Sequence, residues 1–508
     1  MQQHGIGAWV TKRRLKSPNQ VAIIHGDRPP LTYGQFADAA DRVATVLRER
    51  GVGKGDSVAY LGDNSPELLL VMFGAAQLGA VFVPINTRLA APEIAHVLAD
   101  CDAGVLIHDP DLAALVASAA PTARTPCVIV IGEGTTDRPG LAHLTRAAVT
   151  PFTDHADTTH ADPAAIIYTS GTTGRAKGAV LTHGNLTWVA LNCVVDYDVV
   201  STDVALMISP LFHVASLGMG ALPVILKGAT MVIEKGFEPG RALAQIERHG
   251  VTMLSGVPTT YQLMADHPAW AATDLSTLTK LTCGGSAVPA RILNAYEARG
   301  LSFSQGYGMT EAAPGATALP PAMTRVKQGS VGLPHFFTDV RITDPTGAVL
   351  PTGAVGQIEV NGPNVFPGYH GLAQATAEAF TADGWFRSGD LGHLDADGYL
   401  YISGRLKDMI ISGGENIYPL EIEQLLTEID GVTSAAVIGV PDERWGEVPW
   451  AIVTVRQGVS VDTDTVRAFL DGRIARYKLP KNVVIVDELP RTASGKVRKA
   501  DLRTRFGG

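Results

Sequence analysis

Tyr168-Thr169-Ser170-Gly171-Thr172-Thr173-Gly174-Arg175-Ala176-Lys177-Gly178 follows a short apolar run, Ala164-Ala165-Ile166-Ile167, that reads as a strand. Gly171, Gly174 and Gly178 allow backbone conformations that other residues avoid, and a close approach to a ligand. Thr169, Ser170, Thr172 and Thr173 add hydroxyls, and Lys177 adds a positive charge. Exposed backbone N–H groups, hydroxyls and a cation make a cradle for phosphate oxygens. The stretch is not a Walker A loop, which needs Gly-x-x-x-x-Gly-Lys-Ser/Thr; here Gly174 is followed by Arg175. A plain Gly/Thr turn between two strands is the structural alternative.

Outward from this loop, short apolar strands alternate with amphipathic helices. Leu31–Gly51 reads as a helix, Ser57–Leu61 as a strand, Pro66–Gly79 as a helix, and Val81–Pro84 and Ala103–Ile107 as strands around another helix. Such alternation predicts a mainly parallel, helix-covered sheet and an α/β class. Pro289–Arg299 predicts a helix with Pro at its start and Gly300 just past its end. Residues 109–163, rich in Ala, Thr, Pro and Asp, read as a variable surface region. The texture changes near Gly404, and strand and helix patterns in 434–486 predict a second, smaller α+β domain. The expected division is 1–404 and 405–508.

The chain has 508 residues, 46% hydrophobic and 18% charged, so a large core is expected and global disorder is not. A net charge of −9 argues against wholesale nucleic-acid binding. Cys101, Cys127, Cys193 and Cys283 are scattered, without a C-x-x-C pair, which suits a reducing cytoplasm and indicates neither a disulfide framework nor zinc. The N-terminus lacks a signal-peptide core, and the apolar stretches near Leu68–Pro84 and Leu217–Ile233, interrupted by Gln77, Lys227 and glycines, read as protein core. Lys12-Arg13-Arg14-Leu15-Lys16 offers a weak peripheral contact with anionic lipid, although a solvated helix face is the preferred reading.

Taken together, seven blocks in order resemble the adenylate-forming superfamily of acyl-CoA synthetases, firefly luciferase and peptide-synthetase adenylation domains. They are the loop at 168–178, Pro210-Leu211-Phe212-His213, Gly284-Gly285-Ser286-Ala287, Gln305-Gly306-Tyr307-Gly308-Met309-Thr310-Glu311, Trp385-Phe386-Arg387-Ser388-Gly389-Asp390, Gly404-Arg405-Leu406-Lys407-Asp408, and Pro490-Arg491-Thr492-Ala493-Ser494-Gly495-Lys496. The resemblance implies a large, multi-subdomain N-terminal α/β domain with a mobile C-terminal lid. It also implies ATP, CoA and a carboxylic acid as substrates, Mg²⁺ as cofactor, and two half-reactions through an acyl-AMP.

By resemblance, Lys496 reaches the carboxylate and α-phosphate, Glu311 holds Mg²⁺, Thr310 meets the α-phosphate and Tyr307 stacks on adenine, with Gly284, Gly285, Ser286 and Gly308 around it. Fixed positive groups and a metal would stabilise charge gathering on phosphate, and oxygen ligands suit Mg²⁺. Ser286 is not a nucleophile elbow, because Val288 breaks Gly-x-Ser-x-Gly. Asp390 and Arg405 match ribose or phosphate contacts, and Lys407 matches the hinge. Ser412, Gly413, Gly414 and Trp445 resemble segments lining a pantetheine tunnel, and Lys478 matches a contact to CoA phosphates. Each has a bland counterpart: Lys496 and Lys478 as solvated charges, Glu311 as a loop carboxylate, Tyr307 as core, Asp390 as a turn former.

The resemblance also places the acid pocket around 213–220, 257–261, 284–286 and 306–309. Its first segment, Val214-Ala215-Ser216-Leu217-Gly218-Met219-Gly220, is small and apolar, with no charge to pair a second carboxylate, so diacids are disfavoured. His213 is expected to shape the acyl channel, its alternative being a packed core histidine. The segment resembles compact bacterial fatty-acyl-CoA synthetases, which makes a medium- or long-chain fatty acid the expected substrate, with an aromatic acid as the alternative. No carrier domain follows Lys496 in these 508 residues, which favours CoA over a carrier protein as acceptor. A degenerate, non-catalytic nucleotide binder would have lost Lys496 or Glu311, and both are present. Oligomeric state stays open between monomer and homodimer.

Overall fold

The computed structural model describes residues 5–119, 127–134, 138–148, 152–169, 175–285, 288–413, 415–456, 458–459, 461–492 and 496–507. The chain folds as two compact units, Met1–Val340 with Val360–Phe386, and Arg341–Glu359 with Arg387–Gly508.

In the first unit, the strands Val21–Ile24, Thr230–Ile233, Val204–Met207, Met253–Gly256, Lys280–Cys283 and Phe303–Gly308 are parallel neighbours in that order. Gly315–Leu319 and Ser330–Pro334 extend this sheet antiparallel. In a second, seven-stranded sheet, Pro163–Thr169, Val81–Ile85, Ser57–Leu61, Ala103–His108 and Cys127–Val130 are parallel. Lys177–Thr182 and Gly368–Tyr369 then close one edge antiparallel. The near-continuous apolar runs of the parallel strands match burial on both faces: Ser57–Leu61 and Val81–Ile85 are buried at every position.

Local signals explain the boundaries. The helix expected over 31–51 begins at Tyr33, because Leu31–Thr32 pairs with Val21–Ile24 and Thr32 forms a capping box with Gln35. Thr182 caps the helix His183–Asp196 in the same way through Asn185. The helix Pro239–His249 starts on Glu238, whose carboxylate accepts from the Gly240 and Arg241 amides, and stops at Gly250, where φ is 59°. The described residues of 109–163 include regular elements that the composition did not suggest. Its β-branched segment Cys127–Val130 adds the last strand to the seven-stranded sheet, and Leu141–Ala147 forms a short helix.

The second unit has its own core, with Ile410, Ile417, Ile422, Leu426, Val437, Ala451 and Val453 buried together. Its five-stranded sheet is built on the antiparallel pair Val432–Asp442 and Gly446–Val455, flanked by the helices Pro419–Leu426 and Thr463–Leu470. Residues 387–404 belong to this unit.

Two cations of the basic N-terminal cluster are engaged within the first unit. Arg13 donates to the carbonyls of Ile225 and Leu226, and Arg14 bonds Asp38 and Asp41 at 2.8 and 2.7 Å. Among the described residues, no helix is long and apolar enough to cross a membrane.

Candidate active site

Parallel strands place the segments that follow them on one edge of a sheet, where α/β proteins bind ligands. The four stretches expected to line an acid pocket obey this rule. Residues 210–220 follow Val204–Met207, 257–261 follow Met253–Gly256, Gly284 and Gly285 follow Lys280–Cys283, and 306–309 end or follow Phe303–Gly308. The first of them winds as a wide π-helical turn, Ala215–Ala221, a feature common at functional sites. Gly218 passes so close to Ala313 that an added Cβ would lie 2.5 Å from its carbonyl oxygen. His213 is half-buried beside Phe212, with ring centroids 4.7 Å apart.

Gly284 donates its amide to Gly256 at 3.2 Å, and Gly285 has φ 84°, a conformation that favours glycine. At Gly308 a Cβ would meet the Pro314 carbonyl at 1.7 Å, so only glycine fits between the two antiparallel strands. Tyr307, one residue earlier, is half-buried on the same strand.

The glycine-rich loop joins two antiparallel strands, with Thr169 opposite Lys177 and the Thr169 hydroxyl 3.4 Å from the Lys177 carbonyl. It thus differs from a strand-to-helix phosphate loop. Ser170, Gly171, Thr172, Thr173 and Gly174 lie outside the described residues, as do Ser286 and Gly414. At the base of the hairpin, the Lys177 ammonium lies 5.3 Å from the centre of the Tyr369 ring. Tyr369 Oη donates to Glu311 Oε1 at 2.9 Å. Burial, reinforced by the Glu311 charge, pushes the Tyr369 phenol above its ordinary range and keeps it a donor.

Thr310–Ala312 forms a single 3₁₀ turn that puts Thr310 and Glu311 beside strand Lys177–Thr182. The Phe366 amide donates to the Glu311 carbonyl at 2.8 Å. Buried Asn364 donates to the carbonyls of Ala312 and Gly315, both at 2.8 Å, and so ties down both flanks of the turn. The structure therefore brings together Lys177, Thr310 and Glu311, which the sequence singles out, with Tyr369 and Asn364, which it does not. Tyr369 sits in Phe366-Pro367-Gly368-Tyr369, where a Pro-Gly turn was the available signal.

Within the second unit, Asp390 and Arg405 face each other across two antiparallel strands, and Arg405 Nε lies 2.9 Å from Asp390 Oδ1. Lys407 occupies the short turn Leu406–Asp408 and is solvent-exposed by area. Partial desolvation, then the nearby guanidinium groups of Arg405 and Arg503, hold its ammonium below the usual lysine range. Arg503 bonds the neighbouring Asp408 at 2.8 Å.

Ser412 and Gly413 meet the Trp445 loop. The Gly413 amide donates to the Trp445 carbonyl at 2.8 Å, and Ser412 pairs with Gly446. Lys478 is no free surface charge: its ammonium bonds Glu421 at 2.7 Å, so a phosphate would compete with that carboxylate. Lys496 is exposed, and the Thr492 amide donates to its carbonyl at 2.7 Å.

Comparison with known proteins agrees with this geometry. The AMP-binding enzyme family matches residues 10–370, and its AMP-binding enzyme C-terminal domain matches 421–496. The chain is 48% identical over 507 residues to a feruloyl-CoA synthase of Amycolatopsis sp, covering 100% of both chains. It is 42% identical to an indoleacetate–CoA ligase of Aromatoleum aromaticum, covering 98% of this chain and 97% of that one. With the long-chain-fatty-acid–CoA ligase FadD13 of Mycobacterium tuberculosis it shares 36% identity, covering 99% and 98%. Among solved structures, ATP-bound MatB from Rhodopseudomonas palustris superposes with a TM-score of 0.90 at 34% identity, covering 100% and 99%. A large α/β domain bearing the hairpin, the Thr310–Glu311 turn and the converging strand ends, followed by a small C-terminal domain, makes this chain a member of the AMP-binding, adenylate-forming enzyme family.

Proposed function

We propose that the chain is an ATP-dependent ligase that converts an aromatic carboxylic acid to its acyl-AMP with release of pyrophosphate, then transfers the acyl group to CoA. The observation that carries the choice of acid is the 48% identity to a feruloyl-CoA synthase along the whole chain, against 36% to a long-chain fatty-acid ligase. This reverses the order expected from the small residues of 214–220, which suggested an alkyl chain. A π-helical turn and glycines that permit close backbone approach suit a flat ring equally well.

The donor set fits Mg²⁺. Among the described residues no cluster of three metal-binding side chains exists, and one half-buried carboxylate, Glu311, stands beside the strand Lys177–Thr182. Mg²⁺ is commonly bound by one or two carboxylates completed by substrate phosphates. When bound it would neutralise charge on those phosphates. Tyr369 holds the Glu311 carboxylate in place through its 2.9 Å hydrogen bond, and Lys177 adds a cation beside it.

In the second unit, Asp390 is the acceptor for ribose hydroxyls, with Arg405 orienting its carboxylate. Lys496 supplies positive charge to the acid and the α-phosphate during adenylation. A lid beginning near residue 405 turns about Lys407 and brings Ser412, Gly413 and Trp445 to the thiol. The functional test is mass spectrometry of the thioesters formed from a mixed pool of aromatic acids, fatty acids and diacids with ATP, Mg²⁺ and CoA. Aryl-CoA products are expected. Fatty acyl-CoA alone would overturn the choice of acid, and AMP-esters without thioester would overturn CoA as acceptor.

A further inference from the structure

The loop 62–65 leaves the strand Ser57–Leu61 of the seven-stranded sheet and ends where the helix Pro66–Gln77 begins. It is held on both sides of Asn64. The Asp63 amide donates to Asp109 Oδ2 at 2.7 Å, and the Tyr60 and Ser65 hydroxyls are hydrogen-bonded at 2.9 Å. Asn64 itself is only 4% exposed.

Its carboxamide clamps a stretch that belongs to the other sheet of the same unit, just past the strand Val204–Met207. Asn64 Nδ2 donates to the Ser209 carbonyl at 2.9 Å, and Asn64 Oδ1 accepts from the Leu211 amide at 2.7 Å. One partner is an acceptor and the other a donor, so a single orientation of the carboxamide serves both. The two backbone groups flank Pro210, which has no N–H of its own to continue a ladder. The Asn64 side chain stands where a neighbouring strand would. Leu211 is fully buried, so its amide has no water to turn to if the carboxamide is removed.

The clamped stretch turns at once. The His213 amide donates to the Pro210 carbonyl at 3.1 Å, and the His213 carbonyl accepts from the Ser216 and Leu217 amides, both at 3.1 Å. These bonds lead into the π-helical turn Ala215–Ala221. The direction in which His213 and that turn leave the sheet is therefore set at 209–211, by a side chain about 145 positions earlier in the chain. Tyr307, Thr310 and Glu311, expected to meet ATP, lie on or just past a different strand, Phe303–Gly308.

We propose that Asn64 is a positioning residue for acid binding: it fixes the Pro210–His213 turn, and through it the pocket wall at 213–220. The proposal rests on the acid-ligase reading above, but not on the choice of an aromatic acid.

The test measures half-saturating acid and ATP concentrations by ATP–pyrophosphate exchange, with whichever acid the unaltered enzyme turns over best. Asn64→Leu keeps the bulk and removes both hydrogen bonds. Asn64→Asp is the milder change, retaining an acceptor for the Leu211 amide while losing the donor to Ser209. The acid value should rise about tenfold or more in Asn64→Leu and about three- to tenfold in Asn64→Asp. The ATP value should stay within about twofold in both. These concentrations do not depend on how much of the protein is folded, so a loss of yield does not mimic the effect. Thr252→Val supplies the comparison, because Thr252 bonds Asp203 Oδ1 at 2.8 Å and the Val204 amide at 3.0 Å, at the opposite end of the same strand. It should lower the melting temperature and leave the acid-to-ATP ratio within about twofold of the parent. Acid and ATP values that rise together in the Asn64 variants, or an acid value that does not move, would overturn the role of Asn64 while leaving the ligase reading intact. If no acid supports exchange in the unaltered enzyme, that reading falls, and this proposal with it.

Discussion

The phenol of Tyr369 donates to Oε1 of Glu311 at 2.9 Å, while the same ring faces the Lys177 ammonium at 5.3 Å. One side chain from the edge strand Gly368–Tyr369 thus touches both the carboxylate and the cation to which the proposed phosphate chemistry is assigned. Tyr369→Phe keeps the ring and the packing but removes the donor. A lost hydrogen bond to a charged group is worth about 1.5–3 kcal/mol, so adenylation should fall roughly 10- to 100-fold. The half-saturating Mg²⁺ concentration should rise with it. ATP–pyrophosphate exchange over a Mg²⁺ titration measures both, and an unchanged Mg²⁺ dependence would remove Tyr369 from this role.

Gly413 has φ 60°, and a Cβ there would lie 2.7 Å from Trp445 Cε3. Gly413→Ala therefore strains the backbone by about 1–3 kcal/mol and displaces the indole. If this corner meets the thiol, thioester formation from supplied acyl-AMP should drop about tenfold or more. Adenylation should stay within about twofold. Equal losses in both half-reactions would place Gly413 outside the thiol step.

Lys496 makes the opposite prediction. Its exposed ammonium is expected to act only where charge gathers on the α-phosphate. Lys496→Ala should cost about 10²-fold or more in adenylation and largely spare thioester formation. Separate single-turnover measurements of the two half-reactions decide between this and a solvated terminal lysine, for which neither rate would change.

The contrast between these residues shows what a sequence makes legible. Glu311, Lys177, Asp390 and Arg405 stand inside short, dense motifs, and the structure pairs Asp390 with Arg405 across two strands that the linear order separates by 15 positions. The parallel order of the strands was readable from apolar runs bounded by turns. The antiparallel hairpin under the phosphate-type loop was not, because a buried strand reads the same in either direction. Tyr369 and Asn364 were missed for another reason. Each bonds a partner 49 or more residues away, Asn364 with Gly315 and Tyr369 with Glu311, and no local pattern encodes such a meeting. The choice of acid is not legible locally either: the composition of 214–220 reports size and polarity, which suit an alkyl chain and a flat ring alike.

His183, the first residue of the helix His183–Asp196, gives a prediction about pH. It is fully buried, and its Nδ1 accepts the Ile6 amide at 3.2 Å. Burial, aided by the nearby His160 and Lys54, lowers its pKa from 6.5 to about 4. Protonation at Nδ1 would also cost the bond to Ile6. Between about pH 6.5 and 4 the unfolded chain therefore binds a proton that the folded chain refuses, and stability falls as pH drops through that window. The full shift corresponds to about 3 kcal/mol of stability, present above neutrality and lost progressively as pH falls towards 4. His183→Gln retains an acceptor for the Ile6 amide and cannot titrate. It should be less stable than the parent at pH 7.5, with the gap closing by about 3 kcal/mol as pH approaches 4. Urea unfolding of both proteins at matched pH values measures that gap, and a gap constant across the window would mean that His183 titrates alike in both states.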